Sequence, residues 1–168
     1  VDYQLGAGYG YAAAEAGRAY KAGKVPFASR QLLWLDPDYV VVFDRVTSGD
    51  ADFQKKFQLH SPEAMTLNGD TAVIETTTAP GTTAPAKLFC KSLLPSGVGM
   101  ALVGGVGNEF FYNGRNHPGP APYNDQIQGL WRLEESAPLT VDTYFLNVMY
   151  ATPAATTDMP PAQVYSQT

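Results

Sequence analysis

The sequence predicts an all-β protein, an antiparallel β-sandwich of about nine or ten strands with little helix. Aromatic residues make up 12% of the 168 residues and charged residues only 16%, which is low for a soluble domain. The 16 Gly and 13 Pro residues provide many turn positions. Short apolar segments recur about every 8–15 residues without alternating helices, which is typical of antiparallel sandwiches.

Composition divides the chain into three parts. Residues 1–24 are Gly-rich with scattered Tyr, and are predicted to form an N-terminal arm. Within it, 12–22 is a possible short helix, since Ala favours helix although Gly17 opposes it. Residues 25–152 carry the strand patterns and are predicted to be the β-sandwich domain. Residues 153–168 are rich in Thr, Ala and Pro, and are predicted to be an extended C-terminal tail.

Strand patterns follow one another along the predicted sandwich domain. Asp36-Pro37-Asp38 separates the first two, and Asn68-Gly69 is the strongest short signal of a tight hairpin. Two polar segments, 76–85 and 115–128, are predicted to be loops. In order, the predicted strands are 31–35, 39–43, 53–60, the two sides of Asn68-Gly69, 86–94, 100–103, 109–112, 130–134 and 143–151.

Charge and cysteine content exclude several classes of protein. The net charge of −5 and the lack of a basic cluster argue against nucleic-acid binding. The apolar runs are far shorter than the roughly 20 residues needed for a membrane span. Cys90 is alone, so neither an intrachain disulfide nor a Cys-based zinc site is possible, and we expect an inert buried thiol. Since the sequence begins at Val1 with no leader pattern, we expect a processed or excised segment.

Five segments, taken in order, carry a more specific pattern. They are 30–61 (RQLLWLDPDYVVVFDRVTSGDADFQKKFQLHS), 103–110 (VGGVGNEF), 113–116 (NGRN), 129–134 (GLWRLE) and 145–149 (FLNVM). Together they resemble the C-terminal β-sandwich region of heparinase II/III-like polysaccharide lyases, over roughly residues 20–150. The resemblance implies that this sandwich is part of a larger supersandwich.

The resemblance also implies a function for the parent protein. Lyases of this family cleave uronate-containing polysaccharides by β-elimination, with catalytic Asn, His and Tyr residues on an upstream α/α toroid. Their metal ligands, in a His-x-His stretch and later His and Asp residues, lie earlier in the sandwich. This sequence contains neither His-x-His nor His-Asn-Thr. The implied role is therefore a non-catalytic segment without a metal or cofactor of its own. If the parent enzyme binds a structural metal, the resemblance places that metal upstream of this segment.

Partners and localisation follow from the same resemblance. The expected partners are an anionic polysaccharide, bound through the parent enzyme, and the upstream toroid and sandwich layers or another chain. A sandwich taken from a larger β-structure exposes strand edges and an apolar face, so a copy of itself is a further possible partner. The parent is expected to be secreted or periplasmic. The alternative is a stand-alone β-sandwich that binds carbohydrate or assembles on a surface.

The best candidate for a substrate contact is the segment 112–117 together with a tyrosine further along the same loop. Arg can hold a carboxylate through two hydrogen bonds, and the ring of Tyr can pack on a sugar. An ordered surface loop is the alternative interpretation. The candidate residues are Tyr112, Asn113, Arg115, Asn116, His117 and Tyr123.

Other conspicuous residues are interpreted as structural. Asp44 and His60 each end a strand pattern, and two ligands are too few for a zinc site. The glycines of 104–107 are followed by a strand pattern and not by Lys-Ser/Thr, so they predict a turn or bulge and not a phosphate loop. Alternation places Arg132 and Glu134 on one face of a strand.

Overall fold

The computed structural model describes residues 1–76, 84–118 and 129–165. These residues form thirteen strands and one 3₁₀ turn, Gly17–Ala19, which confirms the predicted antiparallel β-sandwich. The strands are β1 (Asp2–Gly6), β2 (Tyr9–Glu15), β3 (Phe27–Leu35), β4 (Tyr39–Thr47), β5 (Lys56–Ser61), β6 (Met65–Asn68), β7 (Thr71–Thr76), β8 (Ala86–Leu94), β9 (Gly99–Gly104), β10 (Phe111–Tyr112), β11 (Arg115–Asn116), β12 (Trp131–Ser136) and β13 (Asp142–Pro153).

The strands are arranged in one large sheet, one small sheet and a hairpin. The large sheet has eight strands in the order β1-β2-β3-β4-β13-β8-β7-β6. The small sheet has the order β5-β12-β9, and β10 pairs with β11. Adjacent strands pair in antiparallel fashion in all three.

The hydrophobic core lies between the small sheet and the part of the large sheet that runs from β4 to the edge strand β6. Alternate residues of β5 and β12 point inward, so Phe57 contacts Phe145 of β13 with ring centroids 6.3 Å apart. Leu133 and Cys90, both fully buried, belong to a second cluster beside it. Burial raises the pKa of the Cys90 thiol to about 12, which agrees with the expected inert thiol.

A row of polar side chains crosses the same interior. Asp44 of β4 accepts two hydrogen bonds from Arg30 of β3, at 2.6 and 2.7 Å. Glu135 of β12 is fully buried and accepts hydrogen bonds from Ser92 (3.1 Å) and from Asn147 (3.2 Å). The hydrogen bonds of Glu135 join the two sheets, whereas the Arg30–Asp44 pair links neighbouring strands of the large sheet.

The N-terminal segment is β-structure. Ala12–Ala14 lie in β2, which pairs with β1 on one side and β3 on the other, so the alternative of a helix over 12–22 is wrong. Two-sided sheet pairing outweighs the helix propensity of Ala. The residues assigned to an N-terminal arm thus extend the large sheet by two strands.

Several strand boundaries differ from the expectation. β5 begins at Lys56, not at residue 53, because Ser48–Asp52 form a turn that continues into Phe53. The strand predicted over 109–112 is reduced to Phe111–Tyr112. The predicted loops 76–85 and 115–128 lie largely outside the described residues, but Arg115–Asn116, predicted as loop, form β11 because they pair with Phe111–Tyr112.

The face of the large sheet that points away from the core carries a group of stacked aromatic rings, here called the outer aromatic face. Tyr150 stacks between Tyr39, at 4.8 Å between centroids, and Phe89, at 6.3 Å. Phe43 and Tyr144 stack at 6.2 Å alongside. These residues belong to β4, β13 and β8, the central strands of the sheet.

Candidate functional site

The candidate segment 112–117 folds as a tight hairpin. Tyr112 lies opposite Arg115, and Phe111 lies opposite Asn116. Asn113 (φ 49°) and Gly114 (φ 81°) both have left-handed backbone, as a two-residue type I′ turn requires. Asn113 is therefore explained by the turn, because Asn accepts this conformation more readily than most residues.

Asn116 holds the loop that precedes the hairpin. Its side-chain oxygen accepts a hydrogen bond from the backbone N–H of Phe110 (2.8 Å), and its amide nitrogen donates to Glu109 (2.9 Å). Hydrogen bonds from the backbone amides of Glu109 itself and of Gly107 lower the pKa of the Glu109 carboxyl. Asn116 thus stabilises the loop, because both polar atoms of its side chain form hydrogen bonds within it.

Tyr112, Arg115 and His117 form an exposed group, here called the hairpin cluster. Nε2 of His117 lies 3.3 Å from Nε of Arg115 and 3.2 Å from the carbonyl oxygen of Tyr112. A single ring nitrogen either accepts from Arg115 or donates to the carbonyl, so the two contacts are mutually exclusive. Tyr112 is 74% exposed. The cluster presents a guanidinium, an imidazole and an aromatic ring to solvent.

The outer face of the small sheet supports the hairpin cluster. Arg132 of β12 donates from Nη2 to the carbonyl oxygen of Phe111, which fixes the hairpin beside this sheet. Glu134 accepts hydrogen bonds from Arg132 (2.7 Å) and Lys56 (2.6 Å). His60 lies opposite Arg132 on β5 and is exposed. The site therefore contains three further basic side chains, from two strands of the small sheet.

The ionisation of Glu134 follows from these neighbours. Burial opposes the charged form, but hydrogen bonds from Lys56 and Arg132 outweigh burial and lower the pKa of the carboxyl. Glu134 therefore stays ionised and holds both cations in place. Arg132 is only 12% exposed and Lys56 is 39% exposed, so Lys56 is the more accessible of the two to a ligand.

Sequence reasoning found part of this site. The sequence singled out segment 112–117 and placed Arg132 and Glu134 on one strand face, but it predicted a loop from residue 115 onward and treated Arg132 and His60 as unrelated to this segment. Their proximity arises from the pairing of β5, β12 and β9, for which the sequence carries no local signal. Tyr123 lies outside the described residues.

The remaining candidates are accounted for by the fold. Asp44 points into the interior and is paired with Arg30, whereas His60 is exposed on the other sheet, so the two do not meet. Over residues 1–76, 84–118 and 129–165, no three His, Cys, Asp or Glu side chains are grouped as metal ligands. Over the same ranges, no helix has the length and apolarity of a membrane span.

The fold is shared with solved polysaccharide lyases. The chain superimposes on the crystal structure of heparan sulfate lyase HepC from Pedobacter heparinus with a TM-score of 0.61, over 93% of this chain, at 14% identity. A HepC mutant from the same organism gives 0.60 at 12% identity, and heparinase III, the BT4657 gene product, gives 0.60 at 14%. The resemblance expected from the sequence is thus confirmed at the level of the fold.

The match covers only part of each lyase chain. This chain spans 21–22% of the length of those three chains, so the superposition concerns about a fifth of each. No family model and no curated protein matches the sequence.

Proposed function

We propose that this chain is a non-catalytic β-sandwich segment of a secreted or periplasmic polysaccharide lyase, and that the hairpin cluster contacts an anionic glycan at the rim of the sandwich. The observation that carries the proposal is the superposition of 93% of this chain on about a fifth of a heparan sulfate lyase. In this proposal the parent enzyme cleaves a uronate-containing polysaccharide by β-elimination, with catalytic residues and any structural metal upstream of this segment.

The charge distribution supports the glycan contact. The whole chain has a net charge of −5, so it does not attract a polyanion at long range. Arg115 and His117 nevertheless lie together in solvent, with Lys56 and Arg132 on the adjoining sheet face. A guanidinium can hold a carboxylate or sulfate through two parallel hydrogen bonds, and the ring of Tyr112 offers a flat apolar surface to a sugar.

The outer aromatic face supports the structural part of the proposal. Tyr144 is 49% exposed at one end of this face, and Leu35 of β3 is 39% exposed at the other end, beside Tyr39. A contiguous apolar sheet surface of this kind usually marks a contact with another protein layer. We propose that upstream toroid or sandwich layers of the parent cover it.

Binding of size-defined heparan sulfate oligosaccharides to the 168-residue chain, measured by calorimetry, tests the glycan contact. Arg115→Ala is expected to weaken binding about tenfold, or about 1.4 kcal/mol, because one bidentate contact is lost. Binding is also expected to weaken with added salt, since the contact is ionic and exposed.

The matched control is Arg18→Ala, which removes an equally charged and exposed side chain from the 3₁₀ turn, outside the hairpin site. Unchanged affinity for Arg115→Ala, or an equal loss for Arg18→Ala, contradicts the assignment of the hairpin cluster. Binding of neutral dextran as tight as that of the anionic oligosaccharide favours the alternative, a general carbohydrate-binding module.

A further inference from the structure

One nitrogen atom of the hairpin cluster has two competing neighbours. Nε2 of His117 faces both Nε of Arg115, at 3.3 Å, and the carbonyl oxygen of Tyr112, at 3.2 Å. The guanidinium only donates hydrogen bonds, and the carbonyl only accepts them. The protonation of Nε2 therefore decides which neighbour is hydrogen-bonded to His117.

In the neutral ring, the contact with Arg115 fixes the position of the proton. A hydrogen bond from a charged donor is about twice as strong as one between neutral groups. Nε2 of His117 therefore accepts from Arg115, and the ring proton lies on Nδ1. In this state the Nε–H group of Arg115 is used within the chain.

The occupied Nε–H group belongs to an edge of the guanidinium that can hold an anion. Nε and Nη2 lie side by side and can bind two oxygens of one carboxylate or sulfate. Arg30 uses this edge on Asp44, with Nε 2.7 Å from Oδ1 and Nη2 2.6 Å from Oδ2. A neutral His117 therefore blocks the edge of Arg115 that corresponds to the one with which Arg30 holds a carboxylate.

Protonation of His117 reverses this arrangement. Both ring nitrogens of an imidazolium are donors, so Nε2 donates to the carbonyl of Tyr112 and no longer accepts from Arg115. The Nε–H group of Arg115 becomes free for a ligand, and the imidazolium adds a second positive charge beside it. Both side chains are exposed, so an anion in solvent can reach them.

The acidic group of the preceding loop does not titrate together with His117. Glu109 accepts a hydrogen bond from Asn116, and hydrogen bonds from backbone amides lower the pKa of its carboxyl. Glu109 is therefore ionised throughout the range of about pH 5 to 8 in which imidazole groups change charge.

The small sheet contributes one ion-pair group and one further imidazole. Arg132, which contacts the hairpin, shares Glu134 with Lys56. The pKa of Glu134 is lowered, so this group keeps its charges over the same range. His60, opposite Arg132, is exposed and is the other of the two histidines of the chain. Its effect can be tested separately.

We propose that His117 controls the affinity of the hairpin cluster for an anionic glycan, because its protonation transfers Nε2 from Arg115 to the carbonyl of Tyr112 and frees Arg115 for the anion. The inference rests on the proposed glycan contact and adds its regulation. The glycan is bound more tightly as the pH falls, and by linkage its binding favours protonation of His117.

Calorimetry with size-defined heparan sulfate oligosaccharides, at about pH 5.5 and about pH 8 and at constant ionic strength, tests this control. Carboxyl groups ordinarily titrate near pH 4, so the charge of the ligand does not change between the two conditions. The unmodified chain is expected to bind about tenfold more tightly at the lower pH, because it gains a charge-assisted hydrogen bond and a positive charge.

His117→Gln keeps a polar side chain at this position but cannot change its charge. This variant is expected to bind with the same affinity at both pH values, within about twofold. The matched control is His60→Gln, which removes the imidazole of the adjoining sheet and is expected to keep most of the difference. Circular dichroism checks that each variant is folded.

The outcomes separate the regulation from the glycan contact. Binding that is weakened by Arg115→Ala but is equal at both pH values overturns the control by His117 and leaves the glycan contact in place. A pH dependence that survives His117→Gln has the same consequence. The lack of binding at either pH contradicts the proposed glycan contact, and the inference with it.

Nitrogen-15 NMR of the His117 ring tests the exchange of partners without any glycan. At about pH 8 the unprotonated nitrogen is expected to be Nε2, and Arg115→Ala is expected to shift the neutral ring toward the form with the proton on Nε2. At about pH 5.5 both nitrogens are expected to carry protons. A neutral ring with its proton mainly on Nε2 in the unmodified chain overturns the inference.

Discussion

Two adjacent glutamates of β12 have pKa values shifted in opposite directions, because a strand places successive side chains on opposite faces. Glu134 points to the outer face, where Lys56 and Arg132 keep it charged. Glu135 points into the core and has only the neutral donors Ser92 and Asn147. Within the described part of the chain, Oε1 of Glu135 and Oδ1 of Asn147 have no hydrogen-bond partner. Glu135 is thus a costly buried carboxyl.

Burial raises the pKa of Glu135, with the charge of Asp44 adding to the effect, and this fixes the sign of its pH dependence. A carboxyl with a raised pKa binds more protons in the folded state, so its stabilising contribution is complete below about pH 4.5 and is lost as the pH rises through the raised value. Glu135→Gln is expected to increase the free energy of unfolding at neutral pH by about 1–3 kcal/mol. Urea unfolding of the variant and of the unmodified chain between about pH 5 and pH 8 measures this difference in the free energy of unfolding.

Glu134→Gln is the matched control, and the opposite sign is expected. The pKa of Glu134 is lowered, so its contribution is present above about pH 4.5 and is lost as the pH falls through the lowered value. Removing its charge is expected to destabilise the protein at neutral pH. A Glu135→Gln variant that is less stable than the unmodified chain at pH 7 contradicts the raised pKa of the buried Glu135 carboxyl.

At the level of elements, the end of β9 depends on a close backbone approach to β12. Gly104 has φ 151°, and a Cβ there would lie 2.4 Å from the carbonyl oxygen of Leu130 and 2.7 Å from Cα of Trp131. The glycines predicted to form a turn thus allow β9 to end against β12, directly before the loop that carries the hairpin cluster.

Gly104→Ala is expected to lower the free energy of unfolding by about 2 kcal/mol or more, because backbone atoms of β12 would have to move. Gly99→Ala at the other end of β9 is the control, since its Cβ would lie 3.9 Å from the carbonyl oxygen of Ser136. Thermal unfolding of both variants measures the difference. Equal destabilisation of the two would mean that the close approach at Gly104 is unimportant.

Local sequence signals predicted most strands because they depend on alternation and turn residues. Asp36–Asp38 and Asn68–Gly69 mark turns that the structure contains between β3 and β4 and between β6 and β7. The strands of residues 1–15 were missed, because Ala-rich sequence has no strand signal and gains its structure from pairing with β3. Glu135 was missed as well, since its burial depends on how the two sheets pack.

The candidate site shows the same division between local and long-range information. The Asn113-Gly114 turn and its cross-strand pair, Tyr112 and Arg115, follow from neighbouring residues. The contact of Arg132 with the hairpin joins residues 21 positions apart. The contact depends on the pairing of β12 with β5 and β9. The alternation of apolar and polar residues within one strand does not predict which strands pair.

At the level of the whole molecule, the sandwich has two unequal layers. The three-stranded sheet covers the eight-stranded sheet from β4 to its edge strand β6, so β1–β3 extend beyond it with Leu32 and Trp34 partly exposed. Tyr144 of the outer aromatic face is 49% exposed as well. This distribution of apolar surface fits a segment that is completed by other layers, as proposed for a lyase of which this fold forms about a fifth.

The measurement that tests the central proposal most directly is a lyase assay on the 168-residue chain alone. Heparan sulfate, alginate, hyaluronan and chondroitin are offered, and the absorbance of newly formed unsaturated uronate is followed. The proposal predicts binding of an anionic glycan without unsaturated product. Product formation by this chain, lost on His117→Ala and retained on His60→Ala, would contradict it and place a complete active site at the hairpin cluster.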